Sequence, residues 1–144
     1  MERIDYLHYK RIYEKIHKIW GITFPIWYPL DNCNRNDVIA FNINPCSTSE
    51  LHLINNLLKV FLVKHAETDI YLLGEINLGI VPYRFNFTEF HLKQNQFNED
   101  MYWCDNKMDW IIYACHDGYL TIGGCKIIQD IKSNWSAWEK YFIE

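Results

Sequence analysis

The chain has 144 residues, of which 49% are hydrophobic and 17% aromatic. This length and apolar content predict one folded domain, residues 1–144, and exclude an intrinsically disordered protein. The formal net charge of −4 argues against nonspecific nucleic-acid binding, which needs clustered Lys and Arg, and suits a basic partner.

The N-terminal sequence MERIDYLHYK contains charges that interrupt any apolar run. No stretch reaches the roughly 18 apolar residues of a membrane span, so we expect neither a signal peptide nor contact with a membrane. The cysteines are odd in number and form no CxxC pair, which favours free thiols in a reducing cytosol. The sequence therefore predicts a cytoplasmic protein. The cysteines are Cys33, Cys46, Cys104, Cys115 and Cys125.

Residues 3–20 are the first predicted element, an amphipathic helix that ends at Gly21. Charged residues occupy much of the face opposite its apolar stripe. Residues 22–36 contain two prolines and several aromatic residues, which predicts an ordered loop anchored by Phe24, Trp27 and Tyr28. The apolar stripe of the helix consists of Ile4, Leu7, Ile12, Ile16, Ile19 and Trp20.

A short apolar strand is predicted at residues 38–43, and a second helix follows it. Ser47 and Glu50 have the S-x-x-E spacing of a capping box, in which each side chain accepts a hydrogen bond from the other residue's backbone N–H. The helix is expected over residues 48–66. Its buried stripe is predicted to consist of Leu51, Ile54, Leu57, Leu58, Phe61 and Leu62.

After this helix the hydrophobic period changes from about 3.6 residues to 2, which predicts strands. Tyr83, Phe85 and Phe87 alternate with polar residues, as in a half-buried strand. Asp117-Gly118 predicts a hairpin with a type I′ turn, whose two central residues both need positive φ. The strands are expected at residues 69–73, 83–88, 102–105, 110–115 and 119–122.

The C-terminal region completes the predicted architecture. Asn134 is expected to begin a last helix with Trp135, Trp138 and Phe142 on one side. Residues 110–115 are apolar on both faces, which predicts an interior strand. The later strands are too close in sequence for crossover helices. We therefore predict an α+β fold, in which an antiparallel sheet, with a meander in the C-terminal half, is packed by two long helices and a short C-terminal helix.

The adjacent residues His116 and Asp117 are the most suggestive catalytic pair, because an aspartate can orient a histidine base. No serine or cysteine nucleophile motif accompanies them, so we prefer the interpretation that Asp117 forms the turn. No catalytic residue is therefore assigned. A small enzyme that uses His116 and nearby carboxylates stays an alternative.

Metal and nucleotide sites are not expected. Cys104, Cys115, His116 and Cys125 carry ligand types that suit zinc, but they lack the short spacing of zinc knuckles. Adjacent residues of a strand point to opposite faces, which would separate Cys115 from His116. The glycines form neither a GxGxxG sequence nor a P-loop. The sequence therefore predicts a protein without metal or cofactor.

Carboxylates and tryptophans are dense around the strands of the meander. They could supply acid–base catalysis or oxygen ligands for a divalent metal, or they could simply terminate strands and form turns. They could also form an acidic, aromatic recognition surface for a basic protein. The candidate partner-binding residues are Glu99, Asp100, Trp103, Asp105, Asp109 and Asp117.

The segments YWCD, DWIIYACHDGYLTIGG and NWSAWEKYF resemble the C-terminal half of small bacterial immunity proteins of polymorphic toxins, including contact-dependent inhibition systems. Those proteins often have an aromatic-x-x-Asp strand, a D-x-W strand that ends near a histidine, and a tail helix with tryptophan. Asp117 departs from the usual glutamate after that histidine. The matching residues are Asp105, Asp109, Trp110, His116, Gly118, Ile122, Gly123, Trp135 and Trp138.

The resemblance implies a non-catalytic protein that binds one cognate toxin domain in the producing cell and blocks its active site. The net charge of −4 suits a toxin domain that is basic. An adaptor or structural module without catalysis is the other alternative to an immunity protein.

Overall fold

The structure is a computed structural model that describes residues 2–21, 35–66, 69–74, 82–86, 89–90 and 100–143. The strands of these segments form one antiparallel sheet in the order β1-β4-β3-β5-β6-β7-β2-β8. The predicted α+β class is therefore confirmed. The helices are α1 (Tyr6–Trp20), α2 (Thr48–His65), α3 (Cys125–Asn134) and α4 (Trp138–Tyr141). The strands are β1 (Glu2–Arg3), β2 (Val38–Asn42), β3 (Asp69–Gly74), β4 (Tyr83–Asn86), β5 (Met101–Cys104), β6 (Ile111–Ala114), β7 (Tyr119–Gly123) and β8 (Phe142–Ile143).

The predicted meander is present, since β5, β6 and β7 pair in chain order. Every residue of β6 is buried, and the strand has a hydrogen-bonded neighbour on each side. Ile112 lies opposite Trp103 on one neighbour and Ile122 on the other. The two-sided apolarity of residues 110–115 therefore does identify an interior strand.

Helices cover both faces of the sheet, so alternate residues of each central strand enter different cores. Ile111 and Tyr113 pack in the cluster that contains the inner face of α1. Ile112 and Ala114 pack in the cluster that contains α2, α3 and the C-terminal aromatic residues. This two-residue alternation decides which side chains of β5 and β6 meet.

The helix α1 begins after Asp5, whose carboxylate accepts a 2.8 Å hydrogen bond from the backbone N–H of His8. It ends at Gly21, which has a φ of 67°. The predicted stripe is wrong at Leu7 and Ile19, which are 66% and 38% exposed. At 100° per residue these two positions turn away from the sheet, and Ile4 is buried ahead of the helix. The buried residues within the helix are Tyr9, Ile12, Ile16 and Trp20.

The helix α2 starts with the predicted capping box. Ser47 Oγ accepts from the N–H of Glu50 at 3.2 Å, and Glu50 Oε1 accepts from the N–H of Ser47 at 3.5 Å. Leu51 and Leu57 are only partly buried at the edge of the inner face. The fully buried apolar residues of the helix are Ile54, Leu58, Phe61 and Leu62.

The predicted short C-terminal helix is present as α4, but it begins at Trp138 and not at Asn134. Asn134 is the last residue of α3, a helix that the sequence interpretation missed, and Phe142 belongs to β8, which pairs with β2. Ile127 and Ile131, one helical turn apart, form the buried side of α3. Trp135, Trp138 and Phe142 lie at the end of α3, in α4 and in β8, and so do not belong to one continuous helix.

Several sequence predictions lie outside the described residues, namely the aromatic loop with Phe24, Trp27 and Tyr28, the end of the fourth strand at Phe87, and Glu99. Among the described helices, none combines the length and the apolar character that crossing a membrane requires.

Candidate functional site

The β6–β7 hairpin has a different turn from the one predicted. Gly118 N–H donates to Cys115 O at 3.0 Å, and Cys115 N–H donates to Tyr119 O at 2.9 Å. His116 and Asp117 therefore occupy the central positions of a type I turn, and Gly118 follows with a φ of 83°. Because Asp117 does not have positive φ, the type I′ assignment is wrong. Three-residue hairpin loops favour this combination of a type I turn and a left-handed residue.

The same turn brings several polar side chains together at one end of β5 and β6. Met101 pairs with Ala114, so the register continues to Asp100 opposite Cys115. Tyr113 lies two residues before Cys115 on the same face, which is the face covered by α1. The hairpin-end cluster, as we name it, consists of Asp100, Tyr113, Cys115, His116 and Asp117.

Asp100 holds the imidazole of His116 in place. The carboxylate is 3% exposed, and its Oδ1 accepts from the backbone N–H of His116 at 3.0 Å. The same oxygen lies 2.9 Å from His116 Nδ1. On the other edge of the ring, Nε2 is 3.5 Å from Asp117 Oδ2, and the imidazole is 49% exposed. The ring is thus oriented by two carboxylates and reaches solvent.

Cys115 contributes a buried thiol to the cluster. Its Sγ is 4.0 Å from His116 Nδ1 and accepts from the N–H of Asp117 at 3.4 Å. The prediction that Cys115 and His116 point to opposite faces is therefore wrong. His116 belongs to the turn, where side chains do not alternate between the two faces of the sheet. Burial raises the pKa of the Cys115 thiol to about 11, so the group is protonated at neutral pH.

The phenol of Tyr113 completes the cluster. Tyr113 is fully buried and stacks on Tyr102, with ring centroids 4.6 Å apart. Burial raises the pKa of the phenol, and the neighbouring Tyr102, Asp100 and Cys115 raise it further. Its hydroxyl lies within hydrogen-bonding reach of the carboxylate of Asp100 and the thiol of Cys115.

The cluster does not have the geometry of a cysteine nucleophile with its base. Such a relay needs the imidazole to contact the thiol through one nitrogen and the carboxylate through the other. Here Cys115 Sγ and Asp100 Oδ1 both approach Nδ1 of His116. The raised pKa of Cys115 also disfavours the thiolate that would attack a substrate.

The candidate partner-binding residues do not form one surface. Asp100, Trp103 and Asp105 are buried, with exposures of 3%, 1% and 0%. Asp109 and Asp117 are exposed, but they flank opposite ends of β6, roughly 20 Å apart at the usual rise per residue. Only these two of the described candidates are positioned to meet a partner.

Asp105 has a structural role. Its Oδ1 accepts from the N–H groups of Lys107 and Met108 at 3.0 and 3.2 Å, and its Oδ2 accepts from Trp110 Nε1 at 2.9 Å. The carboxylate thereby stabilises the β5–β6 turn, in which Met108 has a φ of 58°. Asp105 and Trp110 are both among the residues that carry the resemblance to immunity proteins, and here they pair with each other.

Of the four residues considered as zinc ligands, only Cys115 and His116 lie together. Cys104 lies at the opposite end of β5 from the hairpin-end cluster, and Cys125 is exposed at the start of α3. The sequence interpretation missed the grouping of Asp100 and Tyr113 with Cys115. The signal for it was present, because positions 100 and 102 must share a face with positions 113 and 115 if the strands form an antiparallel meander.

The comparisons with known proteins found no matching family model, no similar curated protein and no similar solved structure. 

Proposed function

We propose that this protein is an immunity protein that binds a cognate bacterial toxin domain in the cytosol of the producing cell. The observation that carries the proposal is a row of exposed apolar side chains on the outer face of α2. Leu53, Val60 and Val63, which we name the α2 row, are 41%, 49% and 59% exposed. Contiguous exposed apolar side chains mark surfaces on which another protein packs.

The α2 row has the arrangement of an interface centre. Its residues are separated by seven and three positions, so they lie on one side of the helix over about 15 Å. The inner face of α2 is occupied by the core, and no side chain of the row belongs to a core cluster of the described residues. Exposed Asn56 lies between Leu53 and Val60 on the same side of the helix, and exposed Lys64 borders the row. Apolar residues at the centre of a polar rim are typical of protein–protein interfaces.

The proposed action is binding without catalysis. Asp105 and Trp110 of the immunity-like pattern are structural partners of each other. The net charge of −4 favours a basic toxin domain, and exposed Asp109 and Asp117 contribute to the field that attracts it. Association with such a domain slows as the salt concentration rises, because screening acts over about 8 Å at physiological ionic strength.

Co-expression with the toxin domain encoded beside this gene tests the proposal. The wild-type protein is expected to rescue growth, and the double variant Val60→Glu, Val63→Glu to lose rescue while staying folded. The double variant places two carboxylates in the apolar contact, which costs binding free energy unless they find partners. Leu7→Glu is the matched control, since Leu7 is 66% exposed on α1, on the other side of the sheet. It should keep full rescue.

The opposite results are equally informative. Failure of the wild-type protein to rescue growth overturns the immunity function. Rescue by the α2 double variant, together with loss of rescue by Asp109→Lys, Asp117→Lys, moves the interface from α2 to the carboxylates that the sequence singled out. Loss of rescue with Leu7→Glu alone assigns the interface to the outer face of α1.

A further inference from the structure

We propose that Asp100, Cys115 and His116 form a zinc site at the hairpin end of the sheet. Each residue offers one ligand atom, and the three atoms all lie within 4.8 Å of one another. Thiolate, imidazole and carboxylate are the protein ligands that Zn²⁺ uses. This site is independent of the proposed partner surface on α2.

The distances are close to those of a tetrahedral centre. Bonds of about 2.3 Å to sulfur and 2.0–2.2 Å to nitrogen and oxygen place the ligand atoms roughly 3.3–3.7 Å apart. Asp100 Oδ1 and His116 Nδ1 are 2.9 Å apart, and Cys115 Sγ and His116 Nδ1 are 4.0 Å apart. Shifts of a few tenths of an ångström would bring these two distances into that range, and the third, between Asp100 and Cys115, is at most 4.8 Å. No other described trio of His, Cys, Asp or Glu meets the same condition.

The surroundings of the three ligands point to a cation. The ligand atoms of Asp100, Cys115 and His116 are mutually close, so that one ion between them could contact all three. A thiolate and a carboxylate together balance the charge of Zn²⁺, so the loaded site is neutral in its largely buried setting. The half-exposed ring of His116 places the site at the surface, where water can supply a fourth ligand.

Two further side chains support the ligands. Asp117 Oδ2 lies 3.5 Å from Nε2 of His116. A carboxylate on the second nitrogen of a metal-binding histidine fixes the ring and its tautomer. Tyr113 has a buried hydroxyl beside Asp100 and Cys115, and it can hydrogen-bond to both. This hydroxyl can donate a hydrogen bond to a ligating carboxylate or to a metal-bound water.

Titration of the metal-free protein with CoCl₂ and ZnCl₂ tests the site. We expect one equivalent of Co²⁺ to bind and give a thiolate-to-cobalt charge-transfer band, which ZnCl₂ removes. Cys115→Ser should lose the band, whereas Cys125→Ser, the control at an exposed thiol, should keep it. His116→Gln and Asp100→Asn should weaken zinc binding by at least about 100-fold, and Asp117→Asn by about 10-fold.

Folding of each metal-free variant is checked by near-ultraviolet circular dichroism. If Cys115→Ser does not fold, the zinc affinity of His116→Gln tests the site instead. This variant is expected to fold, because the side chain of His116 is half-exposed in the turn. Absence of stoichiometric binding overturns the site. Zinc affinity unchanged in His116→Gln overturns it, as does a charge-transfer band that survives in folded Cys115→Ser or disappears in Cys125→Ser.

Discussion

Two buried aspartates lie at opposite ends of β5, and their partners differ in kind. Asp105 accepts hydrogen bonds from two backbone N–H groups and the indole of Trp110, none of which titrates near neutral pH. Asp100 is paired with His116 and lies beside the protonated thiol of Cys115. A buried carboxylate with fixed donors stabilises a turn, whereas one among titratable ligand atoms is a candidate for binding chemistry.

Replacement of Asp105 is expected to have the largest effect on stability. Asp105→Ala leaves buried N–H donors without an acceptor, which should lower the free energy of unfolding by about 3–4 kcal/mol. Asp105→Asn should cost less, because an amide oxygen can still accept from Lys107 and Met108. Urea denaturation measures both. Equal losses for the two variants would show that the indole of Trp110, not the turn, dominates the role of Asp105.

At the β6–β7 hairpin, replacing Gly118 in the turn should destabilise the protein more than replacing the carboxylate of Asp100. A Cβ at Gly118 would lie 2.1 Å from Asn44 Oδ1, at a residue with a φ of 83°. Gly118→Ala should therefore cost about 2–3 kcal/mol, and Gly118→Val at least as much. Gly21→Ala is the matched control, since Gly21 has a φ of 67° with no atom within 4 Å of the added Cβ.

In urea denaturation, the difference between these two alanine variants isolates the clash with Asn44 from backbone strain. Asn44 Nδ2 donates to Asp117 O at 2.7 Å, so moving this side chain also loses a hydrogen bond. Equal decreases in the free energy of unfolding for Gly118→Ala and Gly21→Ala would mean that the side chain of Asn44 moves aside without destabilising the protein.

Asp100→Asn should cost only about 1 kcal/mol in the metal-free protein, because its amide oxygen keeps the hydrogen bond from the His116 N–H. This loss is smaller than that expected for Asp105→Ala, although both carboxylates are buried. Urea denaturation of the metal-free variant provides the measurement. A loss as large as that of Asp105→Ala would assign Asp100 a structural role and remove the contrast between the two ends of β5.

The sequence predicts a structural element well where the local residue pattern is compatible with only one structure. The capping box at Ser47 and the interior position of residues 110–115 follow from local chemistry and from apolarity on two sides, and both are confirmed. The helix α3 was not predicted, because Ile127 and Ile131 form an apolar stripe of only one helical turn. The tryptophans that follow are spaced as in a helix, so the helix was predicted there instead. The C-terminal segment is instead held by pairing of β8 with β2, which no local pattern reveals.

The site was harder to predict than the fold, because it depends on a turn. Alternation along a strand would separate Cys115 from His116, but the type I turn begins at Cys115 and redirects the histidine. An Asp-Gly sequence can form a type I′ turn or a type I turn followed by a left-handed glycine. The choice depends on contacts such as that of Asn44 with the hairpin. Likewise, a pattern of aspartates does not distinguish buried Asp105 from exposed Asp109, since both lie in one short loop.

The partly buried carboxylate of Glu50 can be compared with the two buried aspartates, and replacing its partner Tyr141 should have the smallest effect on stability. Glu50 Oε1 accepts from the hydroxyl of Tyr141 at 2.7 Å. This hydrogen bond, followed by the N–H of Ser47, holds the pKa of Glu50 below its ordinary value of 4.5. A lowered pKa in the folded state stabilises the protein above the ordinary pKa, and this contribution disappears as the pH falls through the folded value.

Tyr141→Phe should therefore lower the melting temperature slightly at pH 7, and the difference from wild type should shrink in acid well below pH 4.5. Tyr6→Phe is the control, since Tyr6 is 64% exposed on α1 and far in sequence from the capping box. Its difference from wild type should not change with pH. A deficit for Tyr141→Phe that stays constant from neutral to acid pH would attribute the effect to a contact of the hydroxyl that does not titrate in this range, such as that with Cys46, and not to the carboxylate of Glu50.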